Sequence, residues 1–311
     1  MNIIIHYTCL MFSDTHFHFE HTTDLNQKEN LENGSEILSK MAERDCFFGL
    51  DIGTECDDLI HREECIENSI MQIKDSALQE KARSFLWFSA GIWPGIEDIK
   101  NRHQRFNILK QNIALSEAKN DGFLHRKIIA LGEFGLDHHW NPSGADGRCE
   151  SDFDKKIYDG EKELMMMQLE YAKELELPAI IHSRDAFEDT LDCIKEVGYH
   201  KGIIHCYSYG EKEARAFLDL GWHISFSGSV TYTKKSKAEE MNALIRTVPD
   251  EKILCETDSP YLSPVPFRGK INSPLNVEHT YRFIANIRGI SCEELSEIVD
   301  GNIKTLFNLT E

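Results

Sequence analysis

Short apolar runs alternate with amphipathic stretches along almost all of this chain. The runs 11–17, 46–52, 85–92, 128–134, 179–183, 202–206, 222–227 and 252–257 read as eight strands. Most are continuous rather than alternating, as expected of parallel strands covered on both faces. The stretches between them carry a helical period. In 161–176, Leu164, Met167, Gln168, Tyr171 and Leu175 share one face, and Pro178 ends the run. Segments 186–197, 211–220, 236–246 and 277–288 repeat the pattern. A last amphipathic helix over 292–308 starts behind Ser291, with Glu294 three residues on at capping-box spacing. This alternation over 311 residues predicts a (β/α)8 TIM barrel with an additional C-terminal helix, rather than a doubly wound sheet. No further repeat, low-complexity tract or Pro/Ser-rich linker divides the chain, so residues 11–311 read as one barrel domain. Residues 1–10 read as an N-terminal extension, with Met11 an alternative start. Two segments read as long irregular loops: 53–80, acidic and partly helical, and 138–160, rich in Gly, Asp and Ser.

Charge narrows the possible partners. With 34 Lys and Arg against 53 Asp and Glu, the formal net charge is −19. A protein that holds nucleic acid mainly through a basic surface is excluded. A phosphate-bearing substrate would have to be met locally, by bound cations or a few placed arginines. The 9 cysteines are scattered and form no CxxC pair, which predicts reduced thiols in a cytoplasmic protein. No apolar run approaches a membrane span, and residues 1–10 lack the basic start of a signal peptide. Neither a membrane nor an obligate protein partner is implied.

Chemistry gathers at the strand ends. Five strands finish in polar motifs: Asp14-Thr15-His16-Phe17-His18, Gly132-Glu133-Phe134-Gly135-Leu136-Asp137, His182-Ser183-Arg184, His205-Cys206-Tyr207-Ser208 and Glu256-Thr257-Asp258-Ser259-Pro260. Strand C-terminal ends are where barrel enzymes build their sites. Side chains alternate along a strand, so His16 and His18 project to one side, and Cys206 is expected to face the core opposite His205. Two imidazoles at that spacing can grip one divalent cation, and six such ligands suffice for two. Each residue has a plainer reading. His182 and His205 can be hydrogen-bonded core histidines, and Glu133 can pair with Arg184. Glu256 lies one layer deeper than Asp258 and can pair with a basic neighbour. Ser208 and Ser259 can donate to phosphate oxygens or cap turns. Arg184 suits a phosphate contact or a salt bridge. Arg268 and Lys270 suit a phosphate backbone or plain solvent. Tyr261 suits a base or sugar.

Taken together and in order, these motifs resemble the TatD-related deoxyribonucleases of the amidohydrolase superfamily. Phe267-Arg268-Gly269-Lys270-Ile271-Asn272-Ser273-Pro274 resembles that family's Arg-Gly-Lys-x-Asn-x-Pro stretch. The resemblance implies that His16, His18 and Asp258 hold one cation, that His182 and His205 hold a second, and that Glu133 bridges them. It implies hydrolysis of DNA phosphodiester bonds from the 3′ end, with two divalent ions (Mg²⁺, Mn²⁺ or Zn²⁺) and Asp258 as base. Arg184, Ser208 and Arg268 would contact the substrate. Relatives on the same scaffold hydrolyse esters and amides, including D-aminoacyl-tRNA, and a metal-bound interaction protein without turnover is the third reading. His138 and His139 replace the family's usual aromatic pair and are expected to pack or lie at the surface. The acidic run 150–163 would repel nucleic acid if it lined the channel.

Overall fold

The computed structural model describes residues 12–22, 28–119, 128–139, 149 and 154–309. Eight parallel strands form one sheet in chain order: β1 (Asp14–Phe17), β2 (Gly49–Asp51), β3 (Leu86–Ala90), β4 (Ala130–Asp137), β5 (Ala179–Arg184), β6 (Gly202–Ile204), β7 (His223–Phe226) and β8 (Ile253–Cys255). The sheet closes on itself just past β8. Phe17 bridges to Ser259, Asp258 N donates to His16 O at 2.9 Å, and His18 N donates to Ser259 O at 2.8 Å. The expected (β/α)8 TIM barrel is therefore present.

Helices cover the outside of the barrel: α1 (Phe19–Thr22), α2 (Lys28–Glu43), α3 (Leu59–Met71), α4 (Ser76–Phe85), α5 (Ile96–Lys100), α6 (Arg102–Ala118), α7 (Lys155–Glu174), α8 (Phe187–Val197), α9 (Glu211–Asp219), α10 (Ala238–Thr247), α11 (Val277–Arg288) and α12 (Cys292–Phe307). Between sheet and helices lies the core, with Phe48, Phe88, Phe134, Phe217 and Trp222 fully buried. Each contributes on the order of 2–3 kcal/mol by leaving water. The additional C-terminal helix α12 starts as its sequence predicts, with Ser291 Oγ accepting from Glu294 N at 3.0 Å. It is tied to the barrel by Asn302 Nδ2, which donates to Ile253 O at 2.9 Å.

The loops and the ends of strands differ from expectation. Segment 53–80 is not an irregular loop, because α3 and the first half of α4 occupy it. Arg62 explains why an acidic segment folds there: it reaches inward from α3 and pairs with buried Asp51 and with Asp58. Segment 138–160 is helical from Lys155, where Asp154 caps α7 by accepting from Ile157 N at 2.8 Å; 140–148 and 150–153 lie outside the described residues, as do residues 1–11. Strand β4 runs on to Asp137, and β6 stops at Ile204. Gln168, a polar residue on the apolar face of α7, holds the end of β3: its amide accepts from Ile92 N at 2.7 Å and donates to Ile92 O at 3.1 Å.

Candidate metal centre

The mouth of the barrel is built around Glu133. Leu131 pairs with Ala179 and Phe134 with Ile181, so β4 carries one residue more than β5 over this stretch. Such a bulge re-aims a side chain. Glycines allow it: Gly132 and Gly135 have φ of +147° and +154°, and a Cβ at Gly132 would meet Ile180 Cβ at 2.5 Å. Glu133 is only 4% exposed.

Its two carboxylate oxygens face different partners. Oε2 lies 3.2 Å from His16 Nε2 and 3.6 Å from His18 Nε2. Asp258 Oδ1 completes that side, 3.6 Å from His16 Nε2 and 3.4 Å from His18 Nε2. The two imidazole nitrogens are 3.2 Å apart. Oε1 lies 2.9 Å from both His182 Nδ1 and His205 Nε2, which are 3.3 Å from one another. Donors about 2.1 Å from a tetrahedral cation sit about 3.4 Å apart, so both sets have the spacing of a coordination shell. The chemistry of the donors fits as well, since imidazole and carboxylate are ligands of divalent transition metals.

The far side of each ring decides which nitrogen faces the centre. His18 Nδ1 donates to Ile52 O at 3.3 Å, which keeps the proton on Nδ1 and points Nε2 at the centre. Asp137 Oδ2, 3.1 Å from His182 Nε2, does the same for His182 and frees Nδ1. Glu256 Oε1 lies 3.5 Å from His205 Nδ1 and accepts from Cys206 N at 2.7 Å. The deeper carboxylate is thus a partner of a histidine, and His16, His205 and Glu256 themselves form a group able to hold a metal. Asp14 ties β1 to the segment after β8, accepting from His16 N at 3.2 Å, Thr257 N at 2.9 Å and Thr257 Oγ1 at 2.6 Å.

Burial alone would raise the carboxyls of Glu133 and Asp258. The charge on His205 and hydrogen bonds from His16, His182 and His205 overturn it and hold Glu133 well below the ordinary range. His18, foremost among the imidazoles, does so for Asp258. Asp14 has no such cation; burial pushes its carboxyl up to about 8 despite Thr257.

A cavity of about 760 Å³ opens over the cluster. Arg184 and Ser208 line it, with Arg184 Nη1 3.9 Å from Asp137 Oδ2. Tyr261 lines it too and is 52% exposed. Arg268 does not line it; it is exposed, with its guanidinium 4.5 Å from the centre of the Tyr232 ring. Ser259 is fully buried where the barrel closes, which places it away from any phosphate. Cys206 corrects the expectation of core filler. The strand has already ended, the backbone turns at φ 44°, and the residue lines the cavity with Sγ 3.2 Å from Ser227 Oγ. His138 packs edge-on to Tyr158 and lies 3.2 Å from buried Glu161, while His139 meets Asp185 at 2.7 Å. Glu161 is therefore internal rather than a channel charge. Sequence reasoning missed Trp93 and gave Asp137 no role. Trp93 lines the cavity edge-on to His182, and its place just after β3 was the available signal.

Residues 13–308 match the family model of the TatD-related DNases. The chain belongs to this family. It is 30% identical over 299 residues to YcfH of Escherichia coli strain K12, described as an uncharacterized metal-dependent hydrolase, and the match covers 95% of each protein. Against YabD of Bacillus subtilis, described likewise, it is 37% identical over 187 residues, 60% of this chain and 67% of that one. The crystal structure of YJJV, a TatD homologue from Escherichia coli K12, superposes with a TM-score of 0.72 at 24% identity, covering 97% of this chain and 100% of that one. A TatD-family hydrolase from Entamoeba histolytica gives 0.69 at 20% identity, covering 96% and 98%. The protein is thus a TatD-family metal-dependent hydrolase. Among the described residues no helix is long and apolar enough to cross a membrane.

Proposed function

We propose that this chain is a deoxyribonuclease that hydrolyses DNA phosphodiester bonds from 3′ ends. The observation that carries the reading is Glu133, whose two oxygens face two separate donor sets at the mouth of a TatD-family barrel. His16, His18 and Asp258 with Oε2 would hold one divalent cation, and His182 and His205 with Oε1 a second. Imidazole-rich sets favour Zn²⁺ or Mn²⁺ in affinity, whereas Mg²⁺ prefers oxygen. Once bound, such ions supply positive charge for phosphate oxygens and acidity for a water. Asp258 stands at the cavity edge with its carboxyl ionised, and so accepts the proton of the attacking water. Arg184 reaches a phosphate oxygen from the β5 side and Ser208 donates beside it. Trp93 and Tyr261 offer ring faces for the flanking bases. A recess at a barrel end suits a strand terminus better than the middle of a duplex.

The test is cleavage of an end-labelled single strand by chelator-stripped protein, with Mg²⁺, Mn²⁺ or Zn²⁺ restored separately, beside Asp258→Asn. A metal-dependent ladder shortening from the 3′ end, absent in the variant, is expected. Intact DNA with every metal, alongside hydrolysis of a mischarged tRNA, would replace this reading with the deacylase one.

A further inference from the structure

Acidic residues are spread along this chain, yet they are missing from two segments beside the cavity, as they are from 99–116. Neither Ser227–Ala238 nor Ser259–Val277 contains an Asp or Glu, in a protein with 53 of them. The first follows β7 and carries Lys234 and Lys237; the second follows β8 and carries Arg268 and Lys270. The fold packs the two together. Val265 N donates to Thr231 Oγ1 at 2.8 Å, Arg268 lies over Tyr232, and a Cβ at Gly228 would meet Pro264 N at 2.8 Å. Lys234, Lys237, Arg268 and Lys270 are all exposed. The acids that follow the first segment, Glu239 and Glu240, open α10, and Glu239 is engaged by Arg246 at 3.3 Å; the second lies between Asp258, at the metal centre, and Glu278, which is 3.9 Å from Arg282. Apolar groups stand beside these cations: Tyr261, Val265 and Ile271 are 52%, 48% and 78% exposed.

This corner runs continuously from the metal centre. Ser229, Tyr261 and Leu262 line the cavity; Tyr232 and Lys234 follow Ser229, and Val265 and Arg268 follow Leu262. The second segment is held in shape from within, by Ser263 Oγ on Lys270 O at 2.6 Å and Asn272 Nδ2 on Tyr261 O at 2.7 Å. Cations interleaved with exposed rings and aliphatic groups match a single strand, which offers phosphates and unstacked bases together. We infer that the paired β7 and β8 loops form a track for the single-stranded DNA leading away from the scissile bond. The inference rests on the deoxyribonuclease reading. It explains how a protein of charge −19 keeps hold of a polyanion: the cation density is local and lies beside the catalytic cavity.

Two measurements separate the surface from the reaction. Binding of a fluorescent 20-nucleotide strand to Asp258→Asn protein is followed by anisotropy against salt, with and without Lys234→Glu and Lys237→Glu together. Hydrolysis of the same strand and of a dinucleotide is then compared in the active background. The pair of reversals is expected to weaken strand binding about tenfold or more and to flatten the salt slope by about 1.4, at roughly 0.7 for each phosphate no longer neutralised. The KM for the long strand should rise in parallel, while the dinucleotide, too short to reach the lysines, keeps its constants. Strand binding that disappears in the variant, from a protein that cleaves no DNA, would leave the track standing and remove the deoxyribonuclease reading. Unchanged binding and KM in a protein that does cleave DNA would overturn the track alone.

Discussion

The two flanks of Glu133 solve the same problem differently. On the β1/β8 flank three side chains join Glu133 Oε2, and all are nearly closed off: His16 is 0% and His18 5% exposed. Their outer nitrogens find little; His18 leans on a neutral carbonyl, and His16 Nδ1 has no hydrogen-bond partner among the described residues. On the β5/β6 flank only two imidazoles join Oε1, but each has a carboxylate behind it, Asp137 3.1 Å from His182 Nε2 and Glu256 at a looser 3.5 Å from His205 Nδ1. A carboxylate behind a histidine makes the imidazole a more basic ligand. His182 is also the more open ring, 16% exposed and lining the cavity beside Arg184. One flank holds by number of donors and the other by strength of donors, and the second faces the substrate.

The comparison breaks most visibly at its hinge. Glu133→Ala removes an oxygen from both flanks and should lower metal affinity and turnover by more than ~100-fold, beyond the 10–100-fold usual for residues one step behind the ligands. Metal content by mass spectrometry and circular dichroism together check that the fold survives. Asp137→Asn should act on one flank only, weakening one cation 10- to 100-fold and letting excess metal restore activity; equal weakening of both cations would erase the distinction between flanks. Arg184→Ala should raise KM about tenfold, near 1.4 kcal/mol, with kcat little changed.

The smallest effect is on pH dependence. Burial alone would lower the His205 imidazole, but Glu133 and Glu256 raise it well above 6.5, so in metal-free protein it keeps its proton. A base raised by folding contributes stability that is complete below 6.5 and fades as pH climbs through the raised value. Metal-free protein should therefore melt at lower temperature as pH rises above 6.5. His205→Asn should flatten that decline. On the other flank burial and His205 lower His16, which reverses its sign. Parallel melting profiles of the wild type and His205→Asn would contradict the assignment.

How much of this could be read from the chain depended on where backbone regularity ends. His16, His18, Glu133, His182, His205 and Asp258 stand out because polar residues follow apolar strands, and the structure brings all six together. Cys206 was misplaced because alternation was carried two residues past Ile204, to a position with positive φ. The bulge that aims Glu133 depends on β5 as much as on its own two glycines, and no local pattern shows the partner strand. The helix Arg102–Ala118 went unmarked because only Leu109 and Ile113 are buried in it, too few to set a period. Trp93 reads as one more apolar residue after β3 until the cavity is seen beside it.

The most direct test of the account is a crystal of the protein soaked in Mn²⁺ and measured for anomalous scattering. Two peaks are predicted, one among His16, His18 and Asp258 and one between His182 and His205, each also within bonding distance of a different oxygen of Glu133. A single peak, or a pair that Glu133 does not touch, would contradict the division of its carboxylate on which the account is built.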